Sequence, residues 1–279
     1  MLDWRWQKII KRIGFFLITV IVTILIVFPF YWMIVNSLQT GQGRFAYPPS
    51  FFPDDLGFSS YRTVLKETDV GKWLLNSLIV SLSASVLALV IGAWGAYAIS
   101  RFQIRGMRFA SYIILTTQMI PPVVLMIPLF KLFRQLGLID KLGGLVVANF
   151  VFTLPVTIWM LKSIFDAIPV EIEEAALVDG CNRTGVLAKI TGPLSAPGFV
   201  AAGIFAFISS WDEFMFTRLV ITHPDNWVGS VGIVSFIGEW AASWDQMMAA
   251  ASLFTVVPVI LFLLVQRYFI ASLVGGVKG

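Results

Sequence analysis

Apolar residues are grouped along this chain in six long stretches, which shorter polar segments separate. A helix needs about 20 mostly apolar residues to cross the hydrocarbon core of a bilayer, and each stretch has roughly that length. The pattern therefore predicts an all-α, polytopic membrane protein. Its six transmembrane helices are expected at residues 13–35, 73–99, 109–130, 145–165, 198–221 and 247–270.

Composition agrees with this membrane assignment. Hydrophobic residues make up 58% of the chain and charged residues 13%, whereas soluble domains are about 45–50% apolar and about 25% charged. The chain has one cysteine, Cys181, and one histidine, His223. No Cys/His cluster with the spacing of a metal site is present in the sequence, so we expect no metal site.

Basic residues near the ends of the apolar stretches predict the orientation, because Lys and Arg are enriched in cytoplasmic loops. Four of them lie in residues 1–12, and Arg101, Arg105 and Arg108 follow the second stretch. Both termini are therefore expected in the cytoplasm. Three basic residues oppose this orientation, because it places them outside: Lys131, Arg134 and Lys141.

This orientation divides the chain into segments with different surroundings. We expect a cytoplasmic N-terminus, a transmembrane domain and a short cytoplasmic tail, at residues 1–12, 13–271 and 272–279. Two external loops are predicted at residues 36–72 and 222–246. A polar insert at residues 166–197 would face the cytoplasm.

Prolines are frequent at membrane depth. Pro121, Pro122 and Pro128 all fall in the third stretch. Each removes a backbone hydrogen bond and favours a kink, so the cluster predicts an interrupted helix.

Two adjacent carboxylates, Asp212 and Glu213, lie in the fifth stretch. Buried charge is costly in a bilayer, so these residues would pair, face a cavity or take up protons. Three roles remain open: a structural ion pair, such as Glu213 with Arg218, an acceptor for substrate hydroxyls, and a proton relay.

Other polar groups are candidates for lining a substrate pathway, although amides between membrane helices also serve as helix-to-helix contacts. The full set of pathway candidates is Asn76, Gln118, Asn149, Trp211, Asp212 and Glu213.

Nucleotide-binding and catalytic motifs are missing from the sequence. Gly71-Lys72 is followed by Trp73 and lacks the Ser/Thr and glycine spacing of a phosphate-binding loop. We therefore expect a non-catalytic protein, which would need another protein to supply energy for transport.

The polar insert has the signals of two short helices. Pro169 and the acidic residues after it favour a helix start, and Gly180 favours its end. A second helix is predicted to begin after Asn182 or Thr184 and to end before Gly192-Pro193.

The spacing of Glu174-Ala175-Ala176, Gly180, Ile190 and Pro193 resembles the cytoplasmic coupling motif, or EAA motif, of binding-protein-dependent ABC importer permeases. The resemblance covers almost the whole chain and is closest to the six-span, maltose-type subunits of the carbohydrate-importing branch. Further matching motifs include Asn76-Ser77-Leu78, Ala96-Tyr97-Ala98 and Gly275-Gly276-Val277-Lys278-Gly279.

The resemblance implies a type I ABC importer permease fold in the bacterial inner membrane. It also implies a second, homologous permease subunit, two ATPase subunits that bind ATP and Mg, and an external solute-binding protein. This chain itself would bind no cofactor, and the cargo would be a sugar or a small glycoside. The residues that would dock on the ATPase are Glu174, Ala175, Ala176, Asp179, Gly180, Ile190, Pro193 and Lys278.

Two residues depart from the family pattern. Gly192 stands where the family commonly has Leu, and we expect it to loosen the end of the second insert helix. Asp212 stands where Asn is common, which adds a negative charge near the predicted pathway. The alternative function is a secondary carrier or ion-coupled channel that uses Asp212 and Glu213.

Overall fold

A computed structural model of the chain describes residues 4–39, 51–52, 55–102, 106–237 and 243–275. Within these ranges the regular elements are helices, and the remaining backbone pairing is one bridge between Gln39 and Leu56. The predicted all-α fold is therefore confirmed. The α-helices are α1 Trp4–Leu38, α2 Ser59–Glu67, α3 Val70–Arg101, α4 Met107–Thr117, α5 Pro122–Gln135, α6 Leu142–Asp166, α7 Val170–Val178, α8 Arg183–Val186, α9 Gly192–Leu194, α10 Ala196–Trp211, α11 Met215–Val220, α12 Gly229–Val234 and α13 Trp244–Gly275.

The described helices include four that are long and apolar enough to cross a membrane: α1, α3, α6 and α13. Two further pairs of helices meet the same test only together, because each pair is sharply bent. The number of spans is therefore four, or up to six if each bent pair counts as one. Helix α13 continues to Gly275, which lies inside the predicted cytoplasmic tail.

The third predicted span, residues 109–130, is not one continuous helix. Helix α4 ends at Thr117 and α5 begins at Pro122, with a bend of 94° between them. Pro121 has an extended backbone at this break, and Pro122 starts the next helix. The interruption predicted from the proline cluster is confirmed, since these residues remove the backbone donors that would continue α4.

The fifth predicted span, residues 198–221, is also broken. Helix α10 ends at Trp211, and α11 begins only at Met215. The carboxylates at positions 212 and 213 therefore do not lie on a continuous helix, as the sequence pattern suggested. At its other end, α10 meets the preceding helical segment Arg183–Leu194 at a bend of 85°.

Most of the membrane helices belong to one compact unit, residues 71–232 and 256–279. Two apolar cores lie along α3 in this unit. One packs the beginning of α3 against α5, α6 and α11, with Val80, Phe133 and Phe216 among its buried members. The other packs the end of α3 against α6 and α10, with Tyr97 and Phe165 among its members. Both ends of α3 are thus held by neighbouring helices.

Gly198 allows α10 to lie close to α6 within this second core. A Cβ atom at this position would lie 2.1 Å from the Cδ1 atom of Ile164. Close helix approach at a small residue is a common device of membrane proteins, where packing rather than water drives association.

The second compact unit comprises residues 1–70 and 233–255, and it contains α1, α2 and the first turns of α13. Its contacts are partly polar: Ser60 donates a hydrogen bond of 2.8 Å to Asp245, and the hydroxyls of Ser37 and Tyr61 are 2.8 Å apart. The most apolar part of α1 has no buried residue. Such a surface suits contact with lipid or with another membrane helix.

Candidate functional site

The first helix of the insert, α7, has clear signals at both ends. Pro169 is the residue just before the helix, one position earlier than predicted. After the helix, Gly180 adopts a φ of 90° in the left-handed region. The N–H of Gly180 donates to Leu177 and that of Cys181 to Ala176, which is the hydrogen-bond pattern of a Schellman motif. The predicted role of Gly180 in ending the helix is confirmed.

The second helix of the insert begins after Asn182, whose side-chain oxygen accepts a hydrogen bond of 2.8 Å from the N–H of Gly185. The prediction that it ends before Gly192 is wrong. Helix α8 continues through a π-helical turn, Leu187–Thr191, into α9. The polypeptide therefore remains helical up to Leu194.

Gly192 accounts for this continuity. Its N–H donates to the carbonyl of Leu187, which closes the π-helical turn. A Cβ atom at position 192 would lie only 2.8 Å from that carbonyl oxygen. The glycine therefore permits a close backbone contact here, in contrast to the loosening expected from the sequence.

The predicted docking residues that the structure describes lie mostly on the outside of the insert. Glu174, Ala175, Asp179, Gly180 and Pro193 are exposed, whereas Ala176 and Ile190 are half-buried. Lys278 lies outside the described residues. We call the exposed group Glu174, Ala175, Asp179 and Gly180 the α7 face.

Val178 is a residue of this surface that the sequence reasoning did not select. Its side chain is 87% exposed at the end of α7. This side chain is therefore available for an apolar contact beside Asp179. The signal available in the sequence was an isolated valine next to Asp179 in a polar insert.

Glu173, immediately before the α7 face, points the other way and is fully buried. Its carboxylate accepts hydrogen bonds from Arg101 Nε at 2.9 Å, from the Tyr97 hydroxyl at 3.0 Å and from the Thr191 hydroxyl at 2.8 Å. These donors come from α3 and from the π-helical turn. The buried carboxylate therefore joins two parts of the insert to the end of a long membrane helix.

Arg101 extends the same group of contacts to α6. Its Nη2 atom is 2.9 Å from the Glu173 carboxylate and donates to the carbonyls of Phe165 and Ile168, at 2.8 and 3.1 Å. The side chains of both ion-pair partners are almost completely buried, with exposures of 5% for Arg101 and 0% for Glu173. We call Tyr97, Arg101, Glu173 and Thr191 the Glu173 cluster.

The pKa of Glu173 reflects these contacts. Burial by itself raises the pKa of this carboxyl, but hydrogen bonds from Arg101, Thr191 and Tyr97 outweigh burial and hold the pKa below its usual value. Glu173 is therefore ionised at neutral pH and balances the charge of Arg101.

Sequence reasoning assigned other roles to these residues. Arg101 was used to predict orientation, and Glu173 was counted only as an acidic residue in the first turn of a helix. One signal was available: Tyr97 and Arg101 are four residues apart, so they share a helix face at the end of an apolar stretch. Glu173, their partner at a distant position in the sequence, had no such local signal.

Two of the three amides among the pathway candidates, Asn76 and Asn149, contact backbone carbonyls. Asn76 is buried and donates to the carbonyl of Trp227 at 2.8 Å and to that of Asp225 at 3.3 Å. Asn149 is also buried and donates to the carbonyl of Leu145 in its own helix. These contacts favour a structural role for both amides. Gln118 is exposed at the end of α4.

The candidates at the end of α10 differ from one another. Trp211 is buried and stacks on Phe207, with ring centroids 5.4 Å apart. Glu213 accepts hydrogen bonds from the backbone N–H groups of Phe216 and Thr217, in the first turn of α11, and from the Thr217 hydroxyl. Only Asp212 remains exposed at this break.

The suggested ion pair between Glu213 and Arg218 is not found in the described part of the chain. The Glu213 carboxylate instead satisfies free backbone donors at a helix start, which is the usual work of an acidic residue there. Across the same described ranges, no group of three or more His, Cys, Asp or Glu residues could hold a metal ion.

Residues 88–274 match the family described as "Binding-protein-dependent transport system inner membrane component". This match covers more than half of the chain, and it includes the whole insert and the Glu173 cluster. The chain belongs to this family.

Two relatives extend the similarity over nearly the whole length of this family member. The inner membrane ABC transporter permease protein YcjP of Escherichia coli is 32% identical, over 98% of this chain and 99% of that protein. The sulfoquinovosyl glycerol transport system permease protein SmoH of Agrobacterium fabrum is 34% identical, over 90% of this chain and 89% of that protein.

A solved structure shares the fold of this inner membrane component. A chain of a bacterial ABC transporter that imports the acidic polysaccharide alginate superimposes with a TM-score of 0.84. The match covers 96% of this chain and 99% of the other, at 23% identity. At this identity the similarity shows the fold alone.

Proposed function

We propose that this chain is a permease subunit that forms half of the translocation pathway of an ATP-driven importer and is moved through its insert, residues 166–197. One observation carries this proposal: the α7 face is exposed, while the opposite side of the same helix is fixed through Glu173 to α3 and α6. A surface built in this way can receive a partner and pass its movement on to the membrane helices.

The chemistry of the α7 face suits an ATPase subunit as the partner. Ala175 and Gly180 have little side-chain bulk, so the partner's backbone can come close. Glu174 and Asp179 offer carboxylates to basic groups, and Val178 adds an apolar contact. We assign the remaining predicted docking residues to the same contact: Ala176, Ile190, Pro193 and Lys278.

Docking on an ATPase requires the insert to face the cytoplasm, where ATP is found. Both termini would then lie in the cytoplasm, and residues 36–72 and 222–246 would face an external solute-binding protein. The complete importer would contain a second, homologous permease subunit and two ATPase subunits. ATP and Mg would be bound by the ATPase subunits, and this chain would hold no cofactor.

A sugar or a small glycoside is the proposed cargo. Support comes from the relative named for sulfoquinovosyl glycerol and from the structural neighbour that imports alginate. Asp212 is exposed at the break after α10 and is the most accessible carboxylate among the pathway candidates. A carboxylate there suits hydroxyl groups, which donate hydrogen bonds to it.

Charge reversal at the α7 face tests this function. We expect Glu174→Lys to remain in the membrane but to lose its ATPase subunits on purification in detergent, and to stop uptake from a panel of radiolabelled mono- and disaccharides. Glu171→Lys is the matched control, because it makes the same change on the same exposed helix outside the docking set. We expect it to retain both properties.

Unchanged uptake and an unchanged subunit composition in Glu174→Lys would contradict the proposal. The energy source for uptake is tested independently of the Glu174 variant. Uptake that collapses with a protonophore while cellular ATP is held constant would favour an ion-coupled carrier instead.

A further inference from the structure

We infer that Glu173 is a positioning residue that makes the insert and the adjoining ends of α3 and α6 move as one rigid body. This inference rests on the proposed function, in which an ATPase subunit moves the insert. It adds the route by which that movement reaches the membrane helices.

Several elements of the structure meet at one buried carboxylate. Glu173 belongs to α7, Thr191 to the π-helical turn, and Tyr97 and Arg101 to α3. Arg101 also binds two carbonyls at the end of α6, those of Phe165 and Ile168. Every one of these contacts is directional, and charge-assisted hydrogen bonds are among the strongest in proteins.

The helices of the insert are too short to be stable on their own. Helix α7 has 9 residues, α8 has 4 and α9 has 3. Helices of this length are unstable in isolation, so tertiary contacts must hold their geometry. The π-helical turn between α8 and α9 is a point at which the insert could bend when a partner moves it. Thr191, the last residue of that turn, is bonded to Glu173.

Glu173 and the α7 face lie on different sides of the same helix. Successive residues of a helix point about 100° apart, so neighbouring side chains face different surroundings. Glu174 is exposed and Glu173 is fully buried. A force applied to α7 at Glu174 is therefore transmitted through the neighbouring Glu173, by way of Arg101 and Tyr97, to α3.

Distance measurements on the assembled importer test this inference without knowledge of the cargo. Spin labels are placed at Lys189, exposed on the insert, and at Val151, exposed on α6, after Cys181→Ser removes the single native cysteine. Cysteine-free partner subunits complete the complex in lipid nanodiscs. The distance between the labels is measured without nucleotide and with ATP plus vanadate.

In the otherwise unmodified complex we expect one narrow distance population in both states, because the insert and α6 move together. In Glu173→Gln we expect loss of the narrow population with ATP plus vanadate. Thr191→Val and Tyr97→Phe each remove one hydroxyl donor and leave the ion pair intact. We expect a smaller broadening in each, confined to the vanadate-trapped state.

Ser195→Ala is the matched control for Thr191→Val. Both hydroxyls are buried near the end of the insert, but the Ser195 hydroxyl has no hydrogen-bond partner among the described residues. We expect this variant to keep the narrow population in both states. If the Glu173 cluster served folding alone, its variants would show a lower yield or a broader distance distribution without nucleotide. Vanadate-trapped Thr191→Val would then keep the narrow population.

A narrow population in vanadate-trapped Glu173→Gln and Thr191→Val would overturn the inference and leave the proposed function standing. If Glu173→Gln does not assemble, Thr191→Val and Tyr97→Phe decide the question. Purification of the unmodified chain without ATPase subunits would overturn the proposed function, and the inference with it.

Discussion

The two ends of α3 each carry an ion pair, but the two pairs lie in opposite environments. Near the beginning of the helix, Lys72 pairs with Asp225, and their side chains are 45% and 65% exposed. At the end of the helix, Arg101 pairs with Glu173, and their side chains are 5% and 0% exposed. In each pair the basic side chain, Lys72 or Arg101, lowers the pKa of the carboxyl that it contacts.

These two pairs show that a short distance between ion-pair partners does not measure how much the pair contributes to stability. Water and salt screen the exposed pair, which restrains two long side chains for little gain. The buried pair lost its hydration when the protein folded, so each partner depends on the other. At the beginning of α3, the buried amide of Asn76 makes a stronger polar contact than the exposed ion pair does.

Loss of Glu173 is expected to have the largest effect on stability. Glu173→Ala leaves the buried guanidinium of Arg101 without its counter-charge, and breaking a buried pair in this way costs about 3–5 kcal/mol. Thermal unfolding of the purified chain in detergent measures the effect. Arg101→Met combined with Glu173→Leu provides a check, since replacing both charges by apolar groups should recover part of the lost stability.

Acid should weaken the contact between Glu173 of α7 and the end of α3. The pKa of this carboxyl is lower in the folded protein than in the unfolded chain, so the stabilisation is present in full above the unfolded value. It is lost as the pH falls through the folded value, which lies below that of an ordinary glutamate. Unfolding temperatures measured across the acidic range should fall more steeply for the unmodified chain than for Glu173→Gln.

Removal of the Asn76 amide should have an intermediate effect at the other end of the helix. Asn76→Ala leaves the carbonyl of Trp227, which lies in a half-buried contact, without this donor, and loss of such a hydrogen bond costs about 0.5–1.5 kcal/mol. The same thermal measurement applies. A change as large as that of Glu173→Ala would show that the two ends of α3 are equally dependent on buried polar contacts.

The exposed ion pair should contribute least. We expect Lys72→Ala to leave the unfolding temperature unchanged within experimental error, at both low and high salt, because water already solvates both groups. A clear loss of stability at low salt that disappears at high salt would show that this pair does contribute, and the contrast between the two ends would be smaller than we infer.

Local sequence signals predicted several features correctly. The all-α fold, the break at Pro121-Pro122, the end of α7 at Gly180 and the start of the next helix after Asn182 all depend on neighbouring residues. A proline lacks a backbone donor, a glycine tolerates a positive φ, and an asparagine caps the helix that it precedes. Such effects act within a few residues, so a linear sequence contains them.

Features that depend on distant contacts were predicted less well. The break after Trp211 was missed because the apolar stretch continues past the point where Glu213 begins to cap α11. Gly192 was expected to loosen its helix, because its contact with the carbonyl of Leu187 appears only in the folded π-helical turn. The contact of Asn76, a predicted pathway residue, with the carbonyl of Trp227 also appears only in the folded structure.

The sequence by itself determined that this protein has several apolar membrane helices interrupted by a polar insert, and its motif predicted that an ATPase docks on that insert. Hydrophobic length and turn chemistry are local properties, so the chain specifies them directly. Only the tertiary structure decided that Glu173 is buried while Glu174 is exposed. Glu173 and Tyr97 are 76 residues apart, and only the packing of α3, α6 and the insert brings them together.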